Sequence, residues 1–167
     1  CNTSSFTLAG NTPSSGTGLW TVVSGSATIT SDTSPTSGVT GISAGNTATL
    51  RWTITNGGSV STDDVILTND ALATTSAAGS DIDQISDGSF TLAGNTPSSG
   101  TGLWTVISGS VTITSDTSPT SGVTGLAADA TATLRWTITN GACSSTDDVI
   151  LTNDAAATTS AAGSDID

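Results

Sequence analysis

From residue 131 to 141 the chain reads Thr-Ala-Thr-Leu-Arg-Trp-Thr-Ile-Thr-Asn-Gly, so Leu134, Trp136 and Ile138 fall on every second position with polar residues between them. That alternation predicts a half-buried β-strand, because successive side chains of a strand point to opposite faces. After a glycine-containing turn, residues 145–154 bring the β-branched pair Val149 and Ile150, which predicts a returning strand and hence a hairpin. The hairpin is expected to form the core of a sandwich. Nearly the same words stand at 47–57 and 61–70, displaced by 84 residues, so whatever the hairpin does is done twice.

The shorter runs follow the same logic. Phe6, Leu8 and Ala9 predict a strand that stops at Gly10-Asn11, and Asn11-Thr12-Pro13-Ser14-Ser15-Gly16 is turn material. Residues 18–25 predict a strand with Trp20 and Val22 on one face, matched by Leu103-Trp104-Thr105-Val106-Ile107 in the second copy. Residues 26–30 predict a short strand beside it, and Val39 to Ile42 another, with Pro35 marking a sheet edge or corner between them. Residues 71–79 are small, and the lack of an apolar stripe favours an extended connector over a helical turn. Residues 80–85 predict a first strand leading into Phe90, the counterpart of Phe6. No segment shows a 3.6-residue period.

Aligning 5–83 with 89–167 gives 79 positions, of which 10 differ. Two copies of this size predict two domains in tandem, each able to bury one modest core, with boundaries at 1–79 and 80–167 and the last residues beginning a further repeat. About seven short strands per copy, spaced by turn signals, predict an all-β fold of two immunoglobulin-like (PKD-like) sandwiches. A chain rich in Gly, Ser, Thr and Asp could be disordered, but the alternation and four Trp at equivalent positions argue against it.

Composition then narrows the chemistry. The chain has no Lys, Glu, His, Met or Tyr; its 14 acidic residues are all Asp, its cations are Arg51 and Arg135, and its net charge is -12. Without His there is no Ser-His or Cys-His nucleophile and base pair and no imidazole for zinc. Without Lys there is no Schiff base, no P-loop lysine and no lysine-to-asparagine isopeptide bond. The charge repels phosphate backbones and anionic lipid, so neither nucleic acid nor membrane insertion is expected. No signal peptide or membrane span is visible in this stretch.

The aspartates are the ligand set this alphabet supplies. Asp70, Asp81, Asp83 and Asp87 flank the expected junction and offer the hard oxygens that calcium uses, although their spacing matches no EF-hand loop. The preferred reading is that a lysine-free surface uses Asp for solubility and turn capping, with a structural calcium as the alternative and no other cofactor. Arg51 and Arg135, each beside a Trp and within one hairpin of an Asp pair, are expected to bridge to Asp across the hairpin, with stacking on an aromatic face a further option. A binding face made of Thr49, Thr53 and Thr55 ranks below their simple role as strand residues.

In order, the chain carries Gly-Ser-Asp-Ile-Asp-Gln, Phe-Thr-Leu-Ala-Gly, Gly-Leu-Trp-Thr-Val-Ile-Ser-Gly, Ser-Pro-Thr-Ser-Gly-Val-Thr-Gly, Leu-Arg-Trp-Thr-Ile-Thr-Asn-Gly and Ser-Thr-Asp-Asp-Val. This series resembles the PKD-like and immunoglobulin-like repeats of giant cell-surface adhesins in Bacteroidota, of the gliding-motility type. The resemblance implies a secreted tandem array attached at the outer membrane, exported by the type IX system, serving as stalk or adhesive segment and carrying no catalytic residues. Its expected partners are neighbouring repeats of the same chain and an extracellular polysaccharide or solid surface.

One departure matters. Units of the family often hold one Cys near the start and another after the Asn-Gly turn, whereas Cys1 aligns with Ile85 and Cys143 with Ser59, so each copy here keeps one of the two. A disulfide would then have to link different units, either Cys143 with Cys1 or Cys143 with the first Cys of a following copy. The leading expectation is a non-catalytic spacer of an adhesin or filament; a carbohydrate- or surface-binding module is the alternative, and an enzyme accessory domain comes third. Buried tryptophans would favour the spacer and an exposed aromatic platform the binder.

Overall fold

The computed structural model describes residues 5–85 and 87–161, and among them it contains thirteen strands and no helix. By its internal contacts the chain divides into two units, Cys1–Ala73 with Asn140–Ser144, and Thr74–Thr139 with Ser145–Asp167. The division falls after Ala73 rather than after residue 79. The cause is that residues 74–84, expected to end the first domain and open the second, run along the second unit throughout.

In the first unit the strands are β1 (Ser5–Thr7), β2 (Thr17–Ser24), β3 (Thr28–Ile29), β4 (Gly38–Thr40), β5 (Asn46–Asn56) and β6 (Ser59–Asn69). They form two three-stranded sheets, ordered β2-β5-β6 and β1-β4-β3. The long hairpin pairs Asn46 with Asn69 through Asn56 with Ser59 without a slip. Each one-residue slip would turn Leu50 and Trp52 outward, so their burial fixes the register.

Strand β3 corrects one expectation. It pairs with β4 and belongs to the second sheet, not beside β2. The β2–β5 register shifts between Val22 and Ser24, and Gly25 follows with φ 78°, a conformation that lets the chain leave one sheet for the other. A side chain at Gly25 would also run into the Thr47 carbonyl oxygen.

Trp20 and Trp52 face each other across β2 and β5, with ring centroids 5.0 Å apart and planes tilted by 37°. Gly18 makes room, because a Cβ there would overlap the Trp52 indole. Leu8, Val39, Ile42, Ala48 and Leu50 complete the buried cluster. A tilted aromatic pair of this kind contributes roughly 0.5–1.5 kcal/mol beyond the area it buries. Pro35 stands at the corner as expected: its carbonyl accepts the Gly10 N–H at 3.0 Å and the Trp20 indole N–H at 3.3 Å.

The second unit repeats this plan and adds a strand. Its elements are β7 (Ile82–Gln84), β8 (Phe90–Thr91), β9 (Thr101–Ser108), β10 (Thr112–Ile113), β11 (Gly122–Thr124), β12 (Ala130–Asn140) and β13 (Cys143–Asn153). The sheets are β7-β13-β12-β9 and β10-β11-β8. Trp104 and Trp136 reproduce the tryptophan pair at 5.0 Å and 37°. The all-β sandwich read from the alternation is therefore the fold. Among the described residues the first unit has six strands and the second seven, the difference being β7.

Candidate functional site

Strand β7 lies parallel to β13, with Leu151 opposite Ile82 and Asn153 opposite Gln84. Residues 74–81 lead up to it as an extended segment that is bonded mostly through its backbone. The Ala77 N–H donates to Asn95 Oδ1 at 2.8 Å, its carbonyl accepts the Asn95 N–H at 2.9 Å, and Asn95 Nδ2 donates to the Thr75 carbonyl at 2.9 Å. On the other side the Ala78 N–H donates to Asp147 at 2.7 Å and the Ser76 N–H to Ser145 Oγ at 3.0 Å. Ala78 is 1% exposed. The small residues that looked like a featureless connector are small because they lie in a channel.

The first unit has the same channel without that segment. An open groove of about 500 Å³ runs between residues 7–11 and Asp63, Val65 and Leu67 of β6, with Trp20 and Trp52 at its floor. Val65 and Leu67 are half-buried, whereas their counterparts Val149 and Leu151 are fully buried. The Trp136 indole N–H donates to the Asn95 carbonyl at 3.2 Å, while the buried Trp52 indole N–H has no partner. Strand β6 is the edge of its sheet. This groove, with a carboxylate, an amide and an unsatisfied indole donor around an apolar floor, is the candidate binding site of the described chain.

At the rim, Arg51 lies directly opposite Asp64 and binds it through two parallel bonds, Nε to Oδ1 at 2.7 Å and Nη2 to Oδ2 at 2.8 Å. The hydrogen bond from Arg51 holds the Asp64 carboxyl below its ordinary range; desolvation opposes this and the Arg51 charge adds to it. The same bond pushes the Arg51 guanidinium up. Arg135 and Asp148 repeat the geometry. The cross-hairpin pairing was read from the sequence. Stacking on the neighbouring tryptophan is ruled out by the pleat, which sends Arg51 and Trp52 to opposite faces of β5.

Of the four aspartates considered for calcium, three meet backbone donors and one lies within a strand. Asp70 accepts the Ala142 N–H at 2.8 Å, Asp81 the Ile150 N–H at 2.8 Å and Asp87 the Ser89 N–H at 3.1 Å, while Asp83 lies within β7 opposite Thr152. Among the described residues no group of three Asp or Cys side chains is placed to hold a metal ion. Three of the four act as caps for backbone donors, the use that turn chemistry gives to Asp. Cys143 is a free thiol, 1% exposed, with its sulfur 3.9 Å from the Asp70 carbonyl oxygen. Cys1, its suggested partner, lies outside the described residues.

Sequence reasoning missed the groove. The signal was present: residues 74–83 recur without change at 158–167.

What the fold and the repeat define is a tandem pair of immunoglobulin-like β-sandwiches. No family model matches the chain, and no curated protein shows significant similarity to it. Among solved structures it is similar to an endo-fucoidan hydrolase, MfFcnA4 of glycoside hydrolase family 107, at 16% identity and a TM-score of 0.35, covering 85% of this chain and 24% of that one. It is similar to a chimeric titin Z1Z2 carrying an exogenous decorin peptide, at 14% identity and a TM-score of 0.32, covering 83% and 82%. It is also similar to domains 1–6 of the surface layer protein SbsC, at 14% identity and a TM-score of 0.36, covering 84% and 20%. The chain thus spans about a quarter of the hydrolase and a fifth of the surface layer protein.

Proposed function

We propose that the chain is a non-catalytic structural segment of an extracellular surface adhesin or filament, a spacer that carries a binding region away from the cell in adhesion and gliding. The observation that supports it most is the pair of near-identical sandwiches whose four tryptophans are all at most 5% exposed, which leaves no aromatic platform for a sugar. An alphabet without His, Lys or Glu adds to this, since a repeated element without catalytic side chains serves by being repeated.

The test is surface labelling of intact cells with antibodies raised against the chain, run beside a glycan array probed with the purified protein. Labelling of intact cells and a blank array support the spacer. Absence from the surface would sink it, and saturable binding to a polysaccharide would replace it with the carbohydrate-binding reading.

A further inference from the structure

We propose that residues 76–84 and β13 form a mechanical clamp: tension on the two ends of the second unit pulls them past each other, and the unit yields only when their cross-bonds break together. The segment keeps one register along its whole length. Ser76 meets Ser145, Ala78 meets Asp147 and Asp81 meets Ile150, each pair 69 residues apart in sequence. The β7–β13 ladder continues at the same offset, Ile82 with Leu151 and Gln84 with Asn153. The two stretches are therefore parallel from Ser76 to Gln84.

Direction decides how such bonds carry force. The chain enters the unit at Thr74 and leaves the sheet after Asn153, so tension draws residues 76–84 back toward Thr74 and β13 forward past Asn153. For parallel neighbours those pulls are opposed along a shared axis. The bonds of a parallel ladder are evenly spaced along that axis, so they are sheared together and no single rung takes the whole load.

Two bonds of the clamp end on carboxylates, the Ala78 N–H on Asp147 at 2.7 Å and the Ile150 N–H on Asp81 at 2.8 Å. Such charge-assisted bonds are roughly twice as strong as neutral ones. At the far end the Asp154 N–H donates to the Gln84 carbonyl at 3.0 Å. The other flank is held as well: the Thr74 N–H donates to the Ser99 carbonyl at 3.0 Å, and Asn95 engages the backbone of Thr75 and Ala77. If residues 76–84 gave way, the next strand to meet the pull would be β8, two residues long and paired with β11 only at Phe90 and Thr91. The clamp stands between the tension and a strand too short to resist it. The inference concerns the second unit by itself and holds whether or not the chain is a spacer.

Single-molecule pulling tests it in the full chain, with handles on thiols introduced by Leu72→Cys and Ala156→Cys and with Cys1→Ser removing a competing thiol. Both handle positions are exposed, and Cys143 is buried. These handles load the clamp in shear. Moving the first handle to Ile85→Cys, an exposed position just past β7, puts both handles at the same end of the β7–β13 ladder, so the same bonds open in succession.

The unfolding force is expected to drop several-fold from the first arrangement to the second, with urea midpoints of the two handle variants unchanged. Asp81→Ala is expected to lower the force in the shear arrangement and to leave it unchanged from the Ile85 handle, where the ladder yields before that bond is reached. Equal forces in the two arrangements, or an Asp81→Ala loss of the same size in both, would overturn the inference.

Discussion

Leu67 and Leu151 stand in the same words, Val-Ile-Leu-Thr-Asn-Asp, yet Leu151 is fully buried and Leu67 half-buried. Ile54 and Ile138 differ likewise, as do Val65 and Val149. The two hairpins have the same tryptophan geometry and the same ion pair, so the difference arises beyond the hairpin. It is made by residues 74–84, which fill one channel and not the other. The lesson is that a repeat in sequence need not coincide with a unit in structure. Here the second structural unit begins at Thr74, 16 residues before the Phe90 landmark, and the segment that completes its sandwich is supplied from upstream of that landmark.

Matched substitutions can break this comparison. The largest effect is expected from Trp136→Ala, about 3–5 kcal/mol, with Trp52→Ala at the lower end because its indole donor is already unsatisfied. Denaturant unfolding followed at both units should show the larger loss in the second, and equal losses would mean that the filled channel adds nothing. Leu151→Ala should cost about 2–5 kcal/mol and Leu67→Ala less, since part of the Leu67 side chain stays in contact with water. Asn95→Ala should cost about 1–3 kcal/mol, because the side chain holds two backbone groups of residues 74–84. Asn11→Ala in the monomer should stay within about 0.5 kcal/mol. A cost at Asn11 equal to that at Asn95 would show that the clamp acts inside its own loop and not on a docked segment.

Much of the sandwich was legible from alternation alone. Leu134, Trp136 and Ile138 are inward, and their polar neighbours outward, because the hairpin is long and one face is buried. The ion pair was legible because Arg51 and Asp64 are equidistant from a tight turn. The sheet change at β3 was not, since a bulge and a positive-φ glycine decide it and neither leaves a hydrophobic period. The groove was not legible either. Ala and Ser at 76–78 carry no apolar signal, and their burial follows from a channel built by residues far away in sequence. For the aspartates the elements that place them dominate: Asp70, Asp81 and Asp87 each accept a backbone N–H.

The smallest effect concerns the ion pairs and sharpens the comparison by predicting no difference. Arg51–Asp64 and Arg135–Asp148 have the same 2.7 Å and 2.8 Å bonds and nearly equal side-chain exposures, 42% and 39% against 40% and 38%. Both carboxyls are held below the ordinary range, chiefly by the guanidinium hydrogen bond. For a depressed carboxyl the unfolded state takes up its proton first as pH falls. The stabilisation is therefore full above the unfolded value of about 3.9 and is lost as pH drops through the lower folded value. The raised arginines carry the opposite sign, and theirs is lost only when pH climbs past the guanidinium range. Carboxyl-carbon NMR titration should place Asp64 and Asp148 at matching midpoints below about 3.9, and Arg51→Ala should return Asp64 alone to the ordinary range. Unequal midpoints in the wild type would mean that the open groove reaches the hairpin rim, and the asymmetry between the units would then extend beyond the channel.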